Sequence, residues 1–190
     1  MDMPLSKESV RAAFAAAARG SITLEGFRRA GVLVPLVFTP SGVELLFTKR
    51  TEQVETHKGQ ISFPGGMVDE GDRDITATAI REANEEIGIH NDDLEVVGLL
   101  SDIATPSGFI ITPVVAFLRP EVAFTLNWAE VAEVFHVPLT FFAGAGRARQ
   151  EFRVVQGEQR EVWHYDTGRH IIWGATAAIV RSLLAALHMI

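Results

Sequence analysis

The sequence predicts an α+β fold. Strand-like segments fill the middle of the chain, one amphipathic helix interrupts them, and a helix-like segment stands at each end. The chain has 190 residues, close to the size of one ordinary domain, and no repeat or long linker divides it. We therefore expect residues 1–190 to form a single domain with a core at about 29–168.

The first expected element is an N-terminal helix at about 6–18. It starts at a serine cap and continues as an alanine-rich run. Two strand patterns follow at 31–39 and 43–50. The Pro-Ser-Gly segment between them, 40–42, predicts that these two strands form a hairpin.

A second helix carries the segment REANEEIG at 81–88, after a polar loop that ends in a predicted turn, FPGG, at 63–66. Asp72 or Asp74 can cap this helix, and Gly88 stands where it should end. The apolar residues fall on one arc of the helix and leave the glutamates on another, so we expect the arc opposite the carboxylates to face the core. The apolar arc consists of Thr76, Ala79, Ile80, Ala83 and Ile87.

Further strand patterns complete the sheet, and a last helix is expected at about 174–187. The strand patterns lie at 94–101, 112–118, 133–139, 151–155 and 162–166. The C-terminal segment is about as long as a membrane span, but Trp173, Arg181, Ser182 and His188 interrupt it. We expect a packed helix or a subunit interface there.

The composition excludes several classes of function. The net charge of −7 disfavours nucleic-acid binding, which basic patches usually carry. The chain has no cysteine, which excludes disulfides and a thiolate nucleophile and fits a reducing cytoplasm. The first ten residues lack the pattern of a signal peptide. We expect a cytoplasmic protein with neither nucleic acid nor membrane as partner.

Three carboxylates crowd one stripe of the second helix. Glu85 and Glu86 lie about 60° and 40° on either side of Glu82, and like charges at these spacings repel. Such a stripe either faces water or binds a cation, and clustered carboxylate oxygens suit Mg²⁺ or Mn²⁺. Arg81 stands four residues before Glu85, close enough to orient that carboxylate. Seen alone, the ExxEE pattern favours an exposed acidic face.

Residues 65–89 resemble the Nudix box, GX5EX7REUXEEXGU, the signature of hydrolases of nucleoside diphosphates linked to another moiety. The matching residues are Gly66, Arg81, Glu82, Glu85, Glu86, Gly88 and Ile89, with Ala83 at an apolar position. Two departures stand at the start of the box. Asp72 replaces the first glutamate, and eight residues rather than seven separate it from Arg81.

The resemblance extends upstream. Residues 46–50 and 57–66 are similar to the additional motif of the Nudix subgroup that hydrolyses coenzyme A, with Gly59 and the FPGG segment at the right spacing. That subgroup shares the aspartate and the extra residue of the box. Glu55 stands where the motif has Arg, and a carboxylate cannot replace a guanidinium on phosphate. Two later segments also resemble the subgroup: 107–118 and 173–179.

The resemblance implies a Nudix fold, which is an α/β/α sandwich around a mixed β-sheet, here with additional N- and C-terminal helices. It also implies a coenzyme A diphosphatase (pyrophosphatase) that uses Mg²⁺ or Mn²⁺ to cut coenzyme A and its thioesters into 3′,5′-ADP and 4′-phosphopantetheine. The implied catalytic residues are Glu82, Glu85, Glu86 and Arg81, with Arg81 orienting Glu85. The implied metal ligands are Glu82, Glu85, Glu86 and the Gly66 carbonyl. The implied substrate-binding residues are Arg50, His57, Lys58, Gly59, Phe63 and Gly65.

Two alternatives stay open at this stage. One is a Nudix hydrolase for another nucleoside diphosphate derivative, such as ADP-ribose or a dinucleotide, and the other is a non-catalytic Nudix module that only binds a ligand. The expected partner is a small-molecule substrate, coenzyme A or acyl-coenzyme A, for a monomer or homodimer. Trp128, Trp163 and Trp173 are expected to pack, although one could stack on adenine. His164 and His170 have no metal-ligand spacing and are expected to be structural.

Overall fold

The computed structural model describes residues 5–16, 18–52, 59–155 and 157–190. The helices are α1 (Lys7–Ala16), α2 (Ile75–Ile87), α3 (Leu139–Ala143) and α4 (Gly174–Ala186). The strands are β1 (Arg28–Thr39), β2 (Gly42–Arg50), β3 (Ile61–Ser62), β4 (Gly65–Met67), β5 (Leu94–Leu99), β6 (Ile103–Ala104), β7 (Phe109–Leu118), β8 (Val131–Pro138), β9 (Ala148–Val155), β10 (Glu158–Asp166) and β11 (Ile171–Trp173). A short 3-10 helix covers Asn91–Asp93.

The central sheet is mixed. Strand β1 pairs antiparallel with β2 and β4 and parallel with β7, and β5 follows on the far side of β7. Strand β2 pairs with β8 along one edge and with β1 and then β3 along the other. Strands β9 to β11 form a second, antiparallel sheet. The predicted β1–β2 hairpin is confirmed, since Thr39 pairs with Gly42.

The two faces of the central sheet carry separate cores. Along β1, Leu33 and Val37 pack with α2, whereas Val34 and Leu36 pack on the opposite side with α4. This alternation is the period of two that a buried strand imposes. Helix α2 therefore covers one face, while α1, α3 and α4 cover the other. The α+β class and the three-layer arrangement around a mixed sheet are confirmed.

Helix α2 has defined ends. The Asp74 carboxylate accepts a hydrogen bond from the Ala77 N–H at 2.8 Å, so Asp74 rather than Asp72 is the cap. Gly88 ends the helix with a φ of 75°, in the left-handed region that favours glycine. On the predicted apolar arc, Ala79, Ala83 and Ile87 are buried. Thr76 and Ile80 are only partly buried.

Two sequence-based expectations need correction. The segment at 63–66 is not a free turn, since Gly65–Met67 form β4 and pair with β1. Trp128 is 69% exposed and does not pack in the core, unlike Trp163, which lies against it. The expected N-terminal helix is present, and its described part is Lys7–Ala16.

The C-terminal segment packs as α4. Its buried residues join the core on the face of the sheet opposite α2. In the described parts of the chain, no helix is long and apolar enough to cross a bilayer. The expected packed helix is therefore confirmed.

Candidate active site

Strand β4 lies directly against the acidic helix. The Gly65 N–H donates a hydrogen bond to the Glu86 carboxylate at 3.2 Å. Gly66 faces Glu82 so closely that a β-carbon at Gly66 would lie 2.5 Å from Glu82 Cδ. Because glycine has no side chain, the backbone of β4 can contact Glu86 and Glu82 directly, which larger residues at these two positions would prevent.

Glu86 is a buried acid, with only 5% of its surface exposed. Burial raises the pKa of Glu86 to about 8, and the nearby charges of Glu82 and Glu130 add to this effect. The Gly65 N–H and the Arg50 guanidinium, whose Nη1 lies 4.0 Å from Glu86 Oε1, act in the opposite direction. Glu86 lies on the arc that the apolar residues leave free, yet it is buried, because β4 covers that side of the helix.

The other two acids are more open. Burial raises the pKa of Glu82, while its hydrogen bond to Arg81 lowers it. The Glu85 side chain is 55% exposed. The stripe therefore runs from the buried carboxylate of Glu86 through that of Glu82, whose side chain is 18% exposed, to the exposed one of Glu85.

Arg81 connects the acids of the helix to the loop before it. Its Nε and Nη2 donate to the two oxygens of Asp72 at 2.9 and 3.0 Å, and its Nη1 donates to Glu82 at 2.9 Å and Glu85 at 3.2 Å. Its Nη2 also donates to the Met67 carbonyl at 3.0 Å. The predicted contact with Glu85 is present, but the bidentate grip falls on Asp72.

The Asp72 carboxylate is fixed by several hydrogen bonds, which its position in the sequence did not predict. The Arg81 guanidinium holds the pKa of Asp72 well below its usual range. The Thr78 hydroxyl and the Asp69 N–H donate to the same carboxylate oxygen at 2.8 and 2.9 Å. The aspartate at the first acidic position of the box therefore fixes Arg81, and the box pattern was the signal that could have assigned it this role.

Glu130, from the loop before β8, is a further acid that sequence reasoning missed. It contributes to the raised pKa of both Glu82 and Glu86. Asn127 holds the loop in place, because its backbone N–H donates to the Glu86 carbonyl at 2.9 Å and its side-chain amide donates to Glu130 at 3.0 Å. No motif surrounds Glu130, so the sequence carried no signal for it.

The structure brings together only some of the expected substrate-binding residues. Arg50 and Gly65 lie at the acids, and Gly59 borders a groove beside β3. Phe63 is 3% exposed and stacks on Phe47 with ring centroids 4.7 Å apart, so its ring is part of the core. His57 and Lys58, together with Glu55, lie outside the described residues.

The donor set suits a hard divalent cation. Its oxygens come from carboxylates and from the β4 backbone, the ligands that Mg²⁺ and Mn²⁺ prefer. A cation at this place would also stabilise the ionised form of Glu86, which burial otherwise disfavours. Within the described residues, no three acidic or histidine side chains already converge on one point. Arg81 draws Glu82 and Glu85 to itself, while Glu86 bonds to β4.

Comparison with known proteins gives the family. The NUDIX domain matches residues 27–156, which include β1, the acids and the following strands. The chain belongs to the Nudix family. It is a Nudix hydrolase, and this family acts on nucleoside diphosphate derivatives. Nudix hydrolases generally use divalent cations.

Curated Nudix relatives match most of the chain. The Uncharacterized Nudix hydrolase NudL of Photorhabdus laumondii is 38% identical over 156 residues, covering 82% of this chain and 83% of that protein. The protein of the same name from Cronobacter sakazakii is also 38% identical, with 82% and 81% covered.

Solved structures share the fold. DR0079 from Deinococcus radiodurans matches with a TM-score of 0.52 at 18% identity, covering 84% of this chain and 86% of that one. A MutT/nudix family protein from Enterococcus faecalis matches with a TM-score of 0.51 at 14% identity, covering 97% and 81%. At these identities the likeness concerns the fold alone.

We expect Gly66→Ala to lower the hydrolase activity at least about tenfold. The new methyl group would push the Glu82 carboxylate out of place, and a small misplacement of a catalytic group is costly. Gly71→Ala is the matched control, because the nearest atom to its new β-carbon is 3.8 Å away. Turnover and melting temperature of both variants test this. Normal turnover in Gly66→Ala would show that β4 does not constrain Glu82.

Proposed function

We propose that this Nudix hydrolase cleaves the diphosphate of coenzyme A and its thioesters, giving 3′,5′-ADP and 4′-phosphopantetheine. The observation that carries the proposal is the contact between β4 and the acidic helix. The FPGG segment resembles the coenzyme A motif, and its two glycines touch Glu86 and Glu82. A substrate that contacts this segment therefore also reaches the acids.

We assign the residues as follows. Glu82, Glu85, Glu86 and the Gly66 carbonyl hold Mg²⁺ or Mn²⁺, which when bound neutralises the diphosphate and polarises a water molecule. Arg81, fixed by Asp72, positions Glu82 and Glu85. In the reaction the water oxygen bonds to one phosphorus, the bridging P–O bond breaks, and the water proton passes to a carboxylate. The charges of Glu85 and Glu130 act on Glu82, and those of Glu82 and Glu130 act on Glu86, so these four carboxylates are the candidates for this role.

Arg50 brings a second positive charge to this centre, beside that of Arg81. Its Nε is buried and has no hydrogen-bond partner among the described residues. An unpaired buried donor is costly, and a nonbridging phosphate oxygen would pair it. Arg50 therefore remains in the proposal as a diphosphate contact, together with Gly59, His57 and Lys58 from the motif. Phe63 does not, because its ring is buried in the core.

A hydrolase for another nucleoside diphosphate derivative is the second candidate. Glu55 in place of the motif arginine favours it, because one expected phosphate contact is missing. An Ap4A hydrolase from Caenorhabditis elegans shares the fold at a TM-score of 0.51 and 21% identity, which concerns the fold alone. A non-catalytic module is disfavoured by the full set of acids and by the clamp that holds Arg81.

A substrate panel tests the proposal. Coenzyme A, an acyl-coenzyme A, ADP-ribose and a dinucleotide are each incubated with Mg²⁺, with Mn²⁺, or with a chelator. We expect the two coenzyme A compounds to be cleaved fastest, with activity lost on chelation and restored by added Mg²⁺. Faster cleavage of ADP-ribose would favour the second candidate, and binding without cleavage would favour the non-catalytic module.

The setting of the enzyme is part of the same proposal. We infer that residues 1–190 act as one domain, as a monomer or homodimer, in a reducing cytoplasm. The absence of cysteine supports this location, and the proposed coenzyme substrate is consistent with it.

A further inference from the structure

Two grooves flank the end of β2, one with charged residues in its lining and one without. Arg50, the last residue of β2, donates from its backbone N–H to the Gln60 carbonyl at 3.0 Å on one side. On the other side it is paired with Val131, the first residue of β8. A substrate whose diphosphate lies at Arg50 therefore has one end near β3 and the other near the loop that leads into β8.

The groove beside β3, here the cationic groove, has a volume of about 450 Å³. Lys49 and Arg169 line it and bring two positive charges. The only carboxylate that the described contacts place on this pair is Glu133, which lies 2.8 Å from Arg169 and opposite Lys49 in the β2–β8 register. The Glu52 carboxylate lies beside Gly59, another residue of the lining, so of the two cations Lys49 is the one without an ion pair among the described residues.

His170 gives independent support for a ligand in the cationic groove. Its side chain is 8% exposed, and its Nε2 makes no hydrogen bond to any described residue, the Glu133 carboxylate lying 3.5 Å away. A buried ring nitrogen without a partner is costly. A phosphate monoester would offer it an oxygen, and the same group would interact with Lys49 and Arg169.

The groove on the β8 side, here the apolar groove, has a volume of about 520 Å³. The residues that line it are Phe124, Thr125, Leu126, Trp128 and Val134. None of these carries a charge, and Trp128 offers a large exposed ring. The groove adjoins the acids through Asn127, which bonds to both Glu86 and Glu130.

We propose that coenzyme A lies across β2 in one direction, with its 3′-phosphate in the cationic groove and its pantetheine arm in the apolar groove over Trp128. This inference rests on the proposed coenzyme A activity. The reverse direction would bring a dianionic phosphate to the uncharged groove beside Glu130 and leave Lys49 without a partner anion. The β2–β8 register shifts between Lys49 and Arg50, so these two side chains do not follow the regular alternation of a strand. The nucleotide end reaches the cationic groove past Gly59 and Gln60, which line it.

Kinetics with coenzyme A and 3′-dephospho-coenzyme A test the cationic groove. We expect Lys49→Met to raise KM for coenzyme A about tenfold, to near the KM for dephospho-coenzyme A. The kcat for coenzyme A and both kinetic constants for dephospho-coenzyme A should stay unchanged. Glu133→Gln should act in the opposite direction and lower KM for coenzyme A, because Arg169 and Lys49 lose a competing anion. Lys7→Met, on α1, is the matched control for charge and should change neither value.

Trp128→Ala tests the apolar groove. We expect kcat/KM to fall more for an acyl-coenzyme A than for coenzyme A, with the loss growing as the acyl chain lengthens. The ratio of kcat/KM for coenzyme A to kcat/KM for dephospho-coenzyme A should not change. If the wild type cleaves coenzyme A but Lys49→Met keeps its full preference for the 3′-phosphate, or if Trp128→Ala removes that preference, the proposed direction is wrong. A wild type inert toward coenzyme A would instead overturn the proposed function and this inference with it.

Discussion

Glu82→Gln and Glu86→Gln should each lower turnover by about 10²-fold or more while preserving the fold. Each change removes one negative charge from the proposed cation ligands and keeps the size of the side chain. Glu86 should be the more sensitive position, because it is buried and its ligand geometry is fixed by the Gly65 N–H. Steady-state kinetics at saturating Mg²⁺ measure the effect.

The same variants can also be compared by their melting temperature without metal. In the wild-type protein without metal, burial raises the pKa of Glu86 to about 8, so folding at neutral pH disfavours the ionised form that the unfolded chain adopts, whereas glutamine brings no ionisable group and can still accept from Gly65. The melting temperature without metal should therefore hold or rise in Glu86→Gln. Glu121→Gln, an exposed acid away from the stripe, is the control for loss of charge. Near-normal turnover of both variants at saturating Mg²⁺ would refute the assignment of the acids.

Arg81→Lys should lower both turnover and stability, although the positive charge is kept. Lysine cannot form the two parallel bonds to Asp72 and at the same time reach Glu82, Glu85 and the Met67 carbonyl. We expect turnover to fall about tenfold or more, with metal affinity falling less. The free energy of unfolding should fall by about 1–3 kcal/mol, because the Asp72 carboxylate loses charged donors.

Kinetics, metal titration and denaturant unfolding separate these effects. Asp72→Asn is the companion variant, since it weakens the same clamp from the other side and leaves Arg81 in place. Its turnover should fall in the same direction. If Arg81→Lys matched the wild type in turnover, the orienting role would be wrong and Arg81 would be only a surface charge.

The longer helices and strands could be predicted from the sequence because their periodic patterns extend over many residues. The hairpin of β1 and β2 and the helix α2 with its ends at Asp74 and Gly88 follow from periodicity and capping residues. The parallel pairing of β1 with β7 could not be predicted, since two strand patterns do not state their order in a sheet. Short elements also escaped: β3 has two residues and β4 three, which is too few for a period to appear.

The sequence was sufficient to predict which residues form the site, but not how buried each of them is or what surrounds them. The box placed Glu82, Glu85, Glu86 and Arg81 on one stripe, and the helix has that stripe. Which of these acids is buried depends on β4, which comes from another part of the chain. Glu130 could not be found for the same reason, because its proximity to the acids is created only by tertiary structure.

The central claim is that the bond between the two phosphorus atoms of coenzyme A is broken, and identification of the products tests it most directly. The purified chain is incubated with coenzyme A and Mg²⁺, and the mixture is separated by chromatography. The account predicts 3′,5′-ADP and 4′-phosphopantetheine in equal amounts, and formation of both about 10²-fold slower or more with Glu86→Gln. Inorganic phosphate and dephospho-coenzyme A as the main products would contradict it.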